Sequence, residues 1–254
     1  MYFRQFLNDE TACASYLFGC NTAGELAVVD AHIELVDAYI AAAEAQGSRI
    51  VAVIETHVQA DHLSGLPKLV DRTGATAYMP AGSGAKFDHE ALADGQLLEL
   101  GNTTIEAIAT PGHAPAHHAY LVTDHRRGDQ PWLVLTGDSL LIGDVGRPDL
   151  HAASEESVEE LARTLYRSLH ERVLTLPNHL LIYPAHYAGS VCGRGLSGHP
   201  ASSIGFERHN NAALAADSAD AFVEAVLKDL PPSPEEQAAI VAANRSGEPS
   251  AAVA

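Results

Sequence analysis

The run Thr56-His57-Val58-Gln59-Ala60-Asp61-His62 puts two imidazoles and a carboxylate close together, and Thr110-Pro111-Gly112-His113, Thr136-Gly137-Asp138 and Tyr183-Pro184-Ala185-His186 add further nitrogen and oxygen donors downstream. Imidazole and carboxylate are the ligand types that divalent transition metals take, so the set reads as a metal site. His57, His113 and Asp138 can present two nitrogens and one oxygen to one ion, the facial arrangement that on iron(II) leaves positions for substrate and oxygen. Asp61, His62 and His186 have two open roles. They can hold a second ion with Asp138 as a bridge, or fix ligands and bound water in place by hydrogen bonds. Gln59 stands out as an amide among these donors.

Such a site needs elements that deliver its donors to one place. Each cluster follows an apolar stretch, so strand ends would carry the donors to one edge of a sheet. Tyr2–Phe6, Ala14–Phe18 and Glu25–Asp30 read as short strands separated by Asn8-Asp9-Glu10 and Asn21-Thr22-Ala23-Gly24. His32–Gln46 has apolar residues at helical spacing and ends at Gly47. Arg49–Glu55 holds Ile50-Val51-Ala52-Val53-Ile54, a β-branched run suited to a strand buried on both faces. Leu63–Arg72 reads as a helix and Thr76–Met79 as the next strand. Further strands are expected at Gln96–Leu100, Thr103–Ala109, His118–Thr123, Trp132–Thr136 and Leu180–Tyr183, with helices at Glu155–His170, Ser202–Asn211 and Ala219–Leu227. Residues 1–245 read as a single domain and 246–254 as a frayed tail.

The 254 residues are enough for one sizeable core, and 46% hydrophobic with 19% charged residues is the balance of a globular chain. No apolar run is long enough to span a bilayer, and the acidic residues of MYFRQFLNDE interrupt any export signal, which points to the cytoplasm. Three cysteines, Cys13, Cys20 and Cys192, form no disulfide framework. A net charge of -18 disfavours nucleic acid and acidic membranes as partners. A small anionic substrate would need local positive charge, for which Arg147 and Arg194 are candidates.

Cys192 lies in the glycine-rich passage Ala188–Gly195, where it could carry sulfur or simply be a small buried residue. Tyr187 could bond a substrate carboxylate or pack. His117 and His118 start a strand and should face opposite ways, outside the ligand set. Cys13 and Cys20 read as core residues, and His32 and His151 as surface or structural histidines.

The order of these motifs resembles the metallo-β-lactamase superfamily, whose pattern is His-x-His-x-Asp-His followed by a histidine, an aspartate and a histidine. The resemblance covers most of the chain and implies an α/β fold, a four-layer αβ/βα sandwich with the metal at a sheet edge. Gln59 departs from the pattern, standing where the superfamily's dinuclear zinc hydrolases, glyoxalase II among them, have a metal-binding histidine. The superfamily's persulfide dioxygenases use one iron on the positions matching His57, His113 and Asp138, and the position matching Gln59 is not a ligand. Thr136–Ile142 and Gly146-Arg147-Pro148-Asp149 are also similar to that branch, with Arg147 resembling its substrate-side arginine.

The resemblance therefore implies one Fe(II) per chain, oxidation of glutathione persulfide or a similar small persulfide by O2, and Asp61, His62 and His186 orienting the ligands. Residues 188–195 and Pro200–Gly205 resemble branch members fused to rhodanese domains, so a separate rhodanese is an implied partner; a homo-oligomer remains open. The alternative is a zinc-dependent thioester hydrolase of the glyoxalase II type, built on Asp61, His62, Asp138 and His186.

Overall fold

Successive side chains of a strand point to opposite faces, and that alternation builds the architecture. Cys13–Cys20 (β2) is buried along its whole length, and its Tyr16 and Phe18 enter one apolar cluster while Leu17 enters another. A strand buried on both faces must be covered on both, by a second sheet on one side and helices on the other. In the computed structural model, which describes residues 1–152, 154–187, 197–230 and 232–248, this is the arrangement found.

The first sheet comprises Tyr2–Asn8 (β1), β2, Glu25–Val29 (β3), Arg49–Ile54 (β4), Thr76–Pro80 (β5) and Glu90–Leu92 (β6), side by side in chain order. β1 to β3 are antiparallel, and β3 to β6 run parallel. The second sheet comprises Leu97–Leu100 (β7), Thr103–Ala109 (β8), His118–Asp124 (β9), Leu133–Gly137 (β10), Leu181–Pro184 (β11) and Ser202–Ser203 (β12), again in chain order. Its parallel pair, β10 and β11, requires a crossover, which Glu155–Ser168 (α3) supplies.

Tyr16, Phe18, Ile54, Ile105, Tyr120 and Leu135 meet between the sheets. On the outer face of the first sheet, Leu17, Val28 and Val53 pack on Tyr39 of Val36–Ala45 (α1) and Leu69 of Leu66–Thr73 (α2). On the outer face of the second, Val134 and Ile182 pack on Leu165 of α3, Ile204 of Ile204–Asn210 (α4) and Phe222 of Ala219–Leu227 (α5). The result is the expected αβ/βα layering. Full burial of each large apolar side chain contributes about 1.5–3 kcal/mol against chain entropy.

Local chemistry shifts some element ends. The helix expected from His32 begins as a 3-10 turn, Ile33–Leu35, because the His32 ring accepts from the Glu34 N–H as a cap. The helix expected from Leu63 starts at Leu66, since Gly65 runs so close to the His32 carbonyl that a Cβ there would sit 2.9 Å from its oxygen. Ser202 and Ser203 pair with β11 before Ser203 caps α4, so the helix expected from Ser202 begins at Ile204. The short strand β6, the 3-10 turn Ala212–Ala215 and the helix Gln237–Ser246 (α6) were not anticipated.

Candidate metal centre

Strand ends deliver the donors as the sequence implied. His57 follows β4, His113 follows β8, Asp138 follows β10 at once, and His186 follows β11. His57 Nε2 and His113 Nε2 lie 3.9 and 3.4 Å from the same oxygen, Asp138 Oδ2. Two atoms bound to one ion at about 2.1 Å can be at most about 4.2 Å apart, so these three fit a shared metal. His113 Nε2 and Asp138 Oδ2 are buried without a hydrogen-bond partner, the condition expected of atoms shaped for a cation.

The other ring nitrogens are held so that these two stay free. His113 Nδ1 donates to the Arg147 carbonyl at 2.8 Å, leaving the Nε2 lone pair available. Gly146 is required for that approach, because a Cβ there would lie 1.9 Å from the Asp138 carbonyl oxygen and 2.9 Å from His113 Nδ1. His57 Nδ1 meets Thr56 Oγ1 at 3.0 Å, and the Thr56 hydroxyl and N–H donate to Asp30, a relay that orients the ring. Burial, then neighbouring His113, holds His57 well below the usual imidazole range; His113 is lowered mainly by burial. Burial works against the Asp138 carboxylate, but His186 and His113 beside it prevail and hold it low. Neutral imidazoles and an ionised carboxylate are the forms that bind metal.

The Gln59 amide nitrogen is committed to other partners, while its Oε1 is buried without a hydrogen-bond partner. Its Nε2 donates to Asp30 Oδ1 at 3.2 Å and to Glu55 Oε2 at 3.3 Å. It bridges two buried carboxyls, which burial raises to about 6 for Asp30 and, with Asp30 as neighbour, to about 8 for Glu55. His117 is likewise occupied, with Nδ1 on Thr110 Oγ1 at 2.8 Å and Nε2 accepting from the Asp138 N–H at 3.0 Å.

His186 links two halves of the site: Nδ1 faces Asp138 Oδ1 at 2.7 Å and Nε2 faces Asp61 Oδ2 at 2.6 Å. Asp61 Oδ1 in turn meets His62 Nδ1 at 3.1 Å, and His32 stacks on His62 with ring centroids 4.8 Å apart. Burial opposes ionisation of both members, yet Cys13 and Asp61 hold His62 well above its usual value, and His186 and His62 hold Asp61 well below.

Cys13 belongs to this group, although the sequence suggested only a core thiol. Its Sγ lies 3.5 Å from Asp61 Oδ2, 3.6 Å from His62 Nδ1 and 3.5 Å from His186 Nε2. Burial would raise the thiol, but His62 and His186 bring it below its ordinary value. It arrives by a long-range pairing, Cys13 opposite His186 and the Ala14 N–H on the Ala185 carbonyl at 2.6 Å, where the two sheets meet. His151, also set aside on sequence, has a ring nitrogen within 4.8 Å of those of His57 and His113. Asn244 on α6 donates to the carbonyls of Gln59 and His62 at 3.0 and 2.8 Å, and accepts from the Ser64 N–H at 2.9 Å, fastening the motif loop.

The substrate-side candidates are placed differently. The Arg147 guanidinium is bidentate on Asp149, at 2.7 and 2.6 Å, and it is the main-chain carbonyl that touches the donor set. The Tyr187 hydroxyl donates to Asp9 Oδ1 at 2.5 Å, and its ring joins the core between the sheets. Cys192 and Arg194 lie outside the described residues.

Residues 8–186 match the family described as the metallo-beta-lactamase superfamily. The chain is 32% identical over 184 residues to the bovine (Bos taurus) mitochondrial persulfide dioxygenase ETHE1, covering 72% of this chain and 67% of that protein. A crystal structure of ETHE1 from Myxococcus xanthus superposes with a TM-score of 0.84 at 29% identity, covering 97% and 99% of the two chains. A metallo-beta-lactamase structure from Staphylococcus aureus subsp. aureus COL gives 0.90 at 30% identity, covering 97% and 73%. The relatives include hydroxyacylglutathione hydrolases as well as persulfide dioxygenases. Fold, motif order and these likenesses agree that the chain belongs to the metallo-β-lactamase superfamily.

Proposed function

We propose that the protein is an iron-dependent persulfide dioxygenase, converting glutathione persulfide or a similar small persulfide, with O2 and water, to the parent thiol, sulfite and protons. The observation that carries the reading is the pairing of a free two-histidine, one-carboxylate set, His57, His113 and Asp138, with a Gln59 amide turned onto Asp30 and Glu55. That set serves one ion with open positions, and the motif position where a dinuclear zinc centre has a histidine carries an amide instead. Likeness to the ETHE1 proteins supports it. Iron, when bound, supplies the redox chemistry that lets O2 react with a sulfur anion.

The remaining work falls to the protein. Thr56 and the Arg147 carbonyl fix the two imidazoles by their Nδ1 atoms, and His186 holds the carboxylate oxygen that does not face them. Asp61 and His62 anchor His186 from behind, completing a hydrogen-bonded wall. In this reading Arg147, Tyr187, Cys192 and Arg194 stand on the substrate side, and the Arg147 carbonyl in addition fixes His113. Residues 1–245 form one domain, and the protein works in the cytoplasm, with a separate rhodanese exchanging sulfur with it. No helix among the described residues is long and apolar enough to cross a membrane.

A second reading is favoured by one feature: Cys13, Asp61, His62 and His186 gather four donor atoms within 4.8 Å of one another. Such a cluster suits zinc, and with it a thioester hydrolase. Comparing iron-loaded and zinc-loaded protein on glutathione persulfide and on a glutathione thioester separates the readings. The dioxygenase reading predicts sulfite from the iron form alone and no thioester cleavage by either; cleavage by the zinc form would overturn it.

A further inference from the structure

His151 lies against the donor set, and no feature of the motif pattern accounts for it. Its ring centroid is 6.0 Å from that of His57 and 5.7 Å from that of His113, with the planes near perpendicular at 82° and 77°. One nitrogen from each of the three rings falls within 4.8 Å of the others. Ligands on opposite sides of one ion are about 4.2 Å apart, so the His151 ring has to move by some tenths of an ångström toward His57 and His113, and toward Asp138, which lies outside this group, to share their centre. Its Nε2 is buried and has no hydrogen-bond partner, a state that costs free energy unless a partner arrives.

The position is built. The Ala152 N–H donates to the Asp149 carbonyl at 3.2 Å, closing a turn, and the Asp149 carboxylate is clamped by Arg147. Leu150 is buried against Ala60 and Val241, and the Gln237 amide donates to its carbonyl. The residue before His151 is thus fastened to both the motif loop and α6. The same segment supplies the Arg147 carbonyl to His113, so it already serves the donor set on one side.

We propose that His151 is a third imidazole ligand for the ion held by His57, His113 and Asp138, giving this chain a three-histidine, one-carboxylate centre. The proposal rests on the reading of those three residues as metal donors and adds a residue to them. It also assigns His151 the task of retaining the ion: a centre with four protein donors releases metal less readily than one with three.

The test uses metal-free full-length protein titrated anaerobically with Co(II) against a competing chelator, following the visible absorption of the bound ion. His151→Ala and His151→Gln are each expected to bind Co(II) about 10–100-fold more weakly, with a changed visible spectrum. Added free imidazole should restore the spectrum of His151→Ala. Circular dichroism checks folding, and His151→Gln, which keeps most of the side-chain volume, carries the readout if the alanine variant does not fold. Wild-type affinity and an unchanged spectrum in the folded variants would overturn the proposal. No persulfide enters the assay, so failure of the dioxygenase reading would leave this result standing. Failure of Co(II) to bind the wild-type protein would sink the metal reading and the His151 assignment together.

Discussion

Replacing Gln59 by alanine tests whether its amide serves the fold or the metal. Gln59 is 1% exposed, and its Nε2 bridges Asp30 at 3.2 Å and Glu55 at 3.3 Å. Glu55, raised to about 8 by burial and Asp30, is protonated at neutral pH and acts as a neutral acceptor, a bond worth about 1 kcal/mol. Asp30, raised to about 6, is mostly ionised there and its bond is worth about 1.5 kcal/mol. Together they give about 2.5 kcal/mol before any cavity left by truncation. With a urea dependence of about 3 kcal/mol per molar, the midpoint should fall by about 0.8 M. Metal stoichiometry should stay at the wild-type value, measured on the same preparation. An unchanged midpoint with loss of metal would refute the reasoning, since it would make Gln59 a ligand rather than a bridge.

Glu55 gives a pH-dependent prediction. Its folded-state value of about 8 lies above its ordinary 4.5, so the folded protein holds the extra proton across that interval. Stability is therefore fully present below about 4.5 and is lost as pH rises through about 8, by an amount on the order of a few kcal/mol. Thermal melts of Glu55→Gln between pH 5 and pH 8 should show a flatter profile than wild type; an equally steep profile would assign the slope elsewhere. Gly146→Ala would drive a Cβ to 1.9 Å from the Asp138 carbonyl oxygen, so it should cost at least about 1–3 kcal/mol and displace His113, seen as a lower melting temperature and weakened metal binding. A wild-type melt and metal content would contradict that geometry. Asp138→Ala removes the oxygen facing both His57 and His113 and should weaken metal binding by at least about 10–100-fold in chelator competition.

The motif residues were legible in sequence because their types are specific and each follows an apolar stretch. His57, His113, Asp138 and His186 converge for that reason. The β-branched run Ile50–Ile54 likewise announced a strand covered on both faces, with Ile50 and Val53 in one cluster and Ala52 and Ile54 in the other. Cys13 and His151 were not legible. Cys13 reaches the site through a pairing with His186 across the junction of the two sheets, a contact that nothing local to either residue announces. His151 depends on a turn fixed by Arg147, Asp149, Leu150 and a helix far along the chain. That helix, α6, was itself missed: its buried side is narrow, with Ile240 and Ala243, and its contribution comes from polar Asn244 and Gln237. Gln59 was recognised as unusual, but its partners Asp30 and Glu55 lie at positions that carry no motif.

The most direct measurement is oxygen uptake by anaerobically purified, iron-loaded protein on addition of glutathione persulfide, with sulfite determined in the same sample and the zinc-loaded protein as control. The account predicts about one O2 consumed per sulfite formed, in the iron form only, with His57, His113 and Asp138 each essential. Absence of oxygen uptake by protein holding one iron per chain, or equal turnover with zinc, would contradict it.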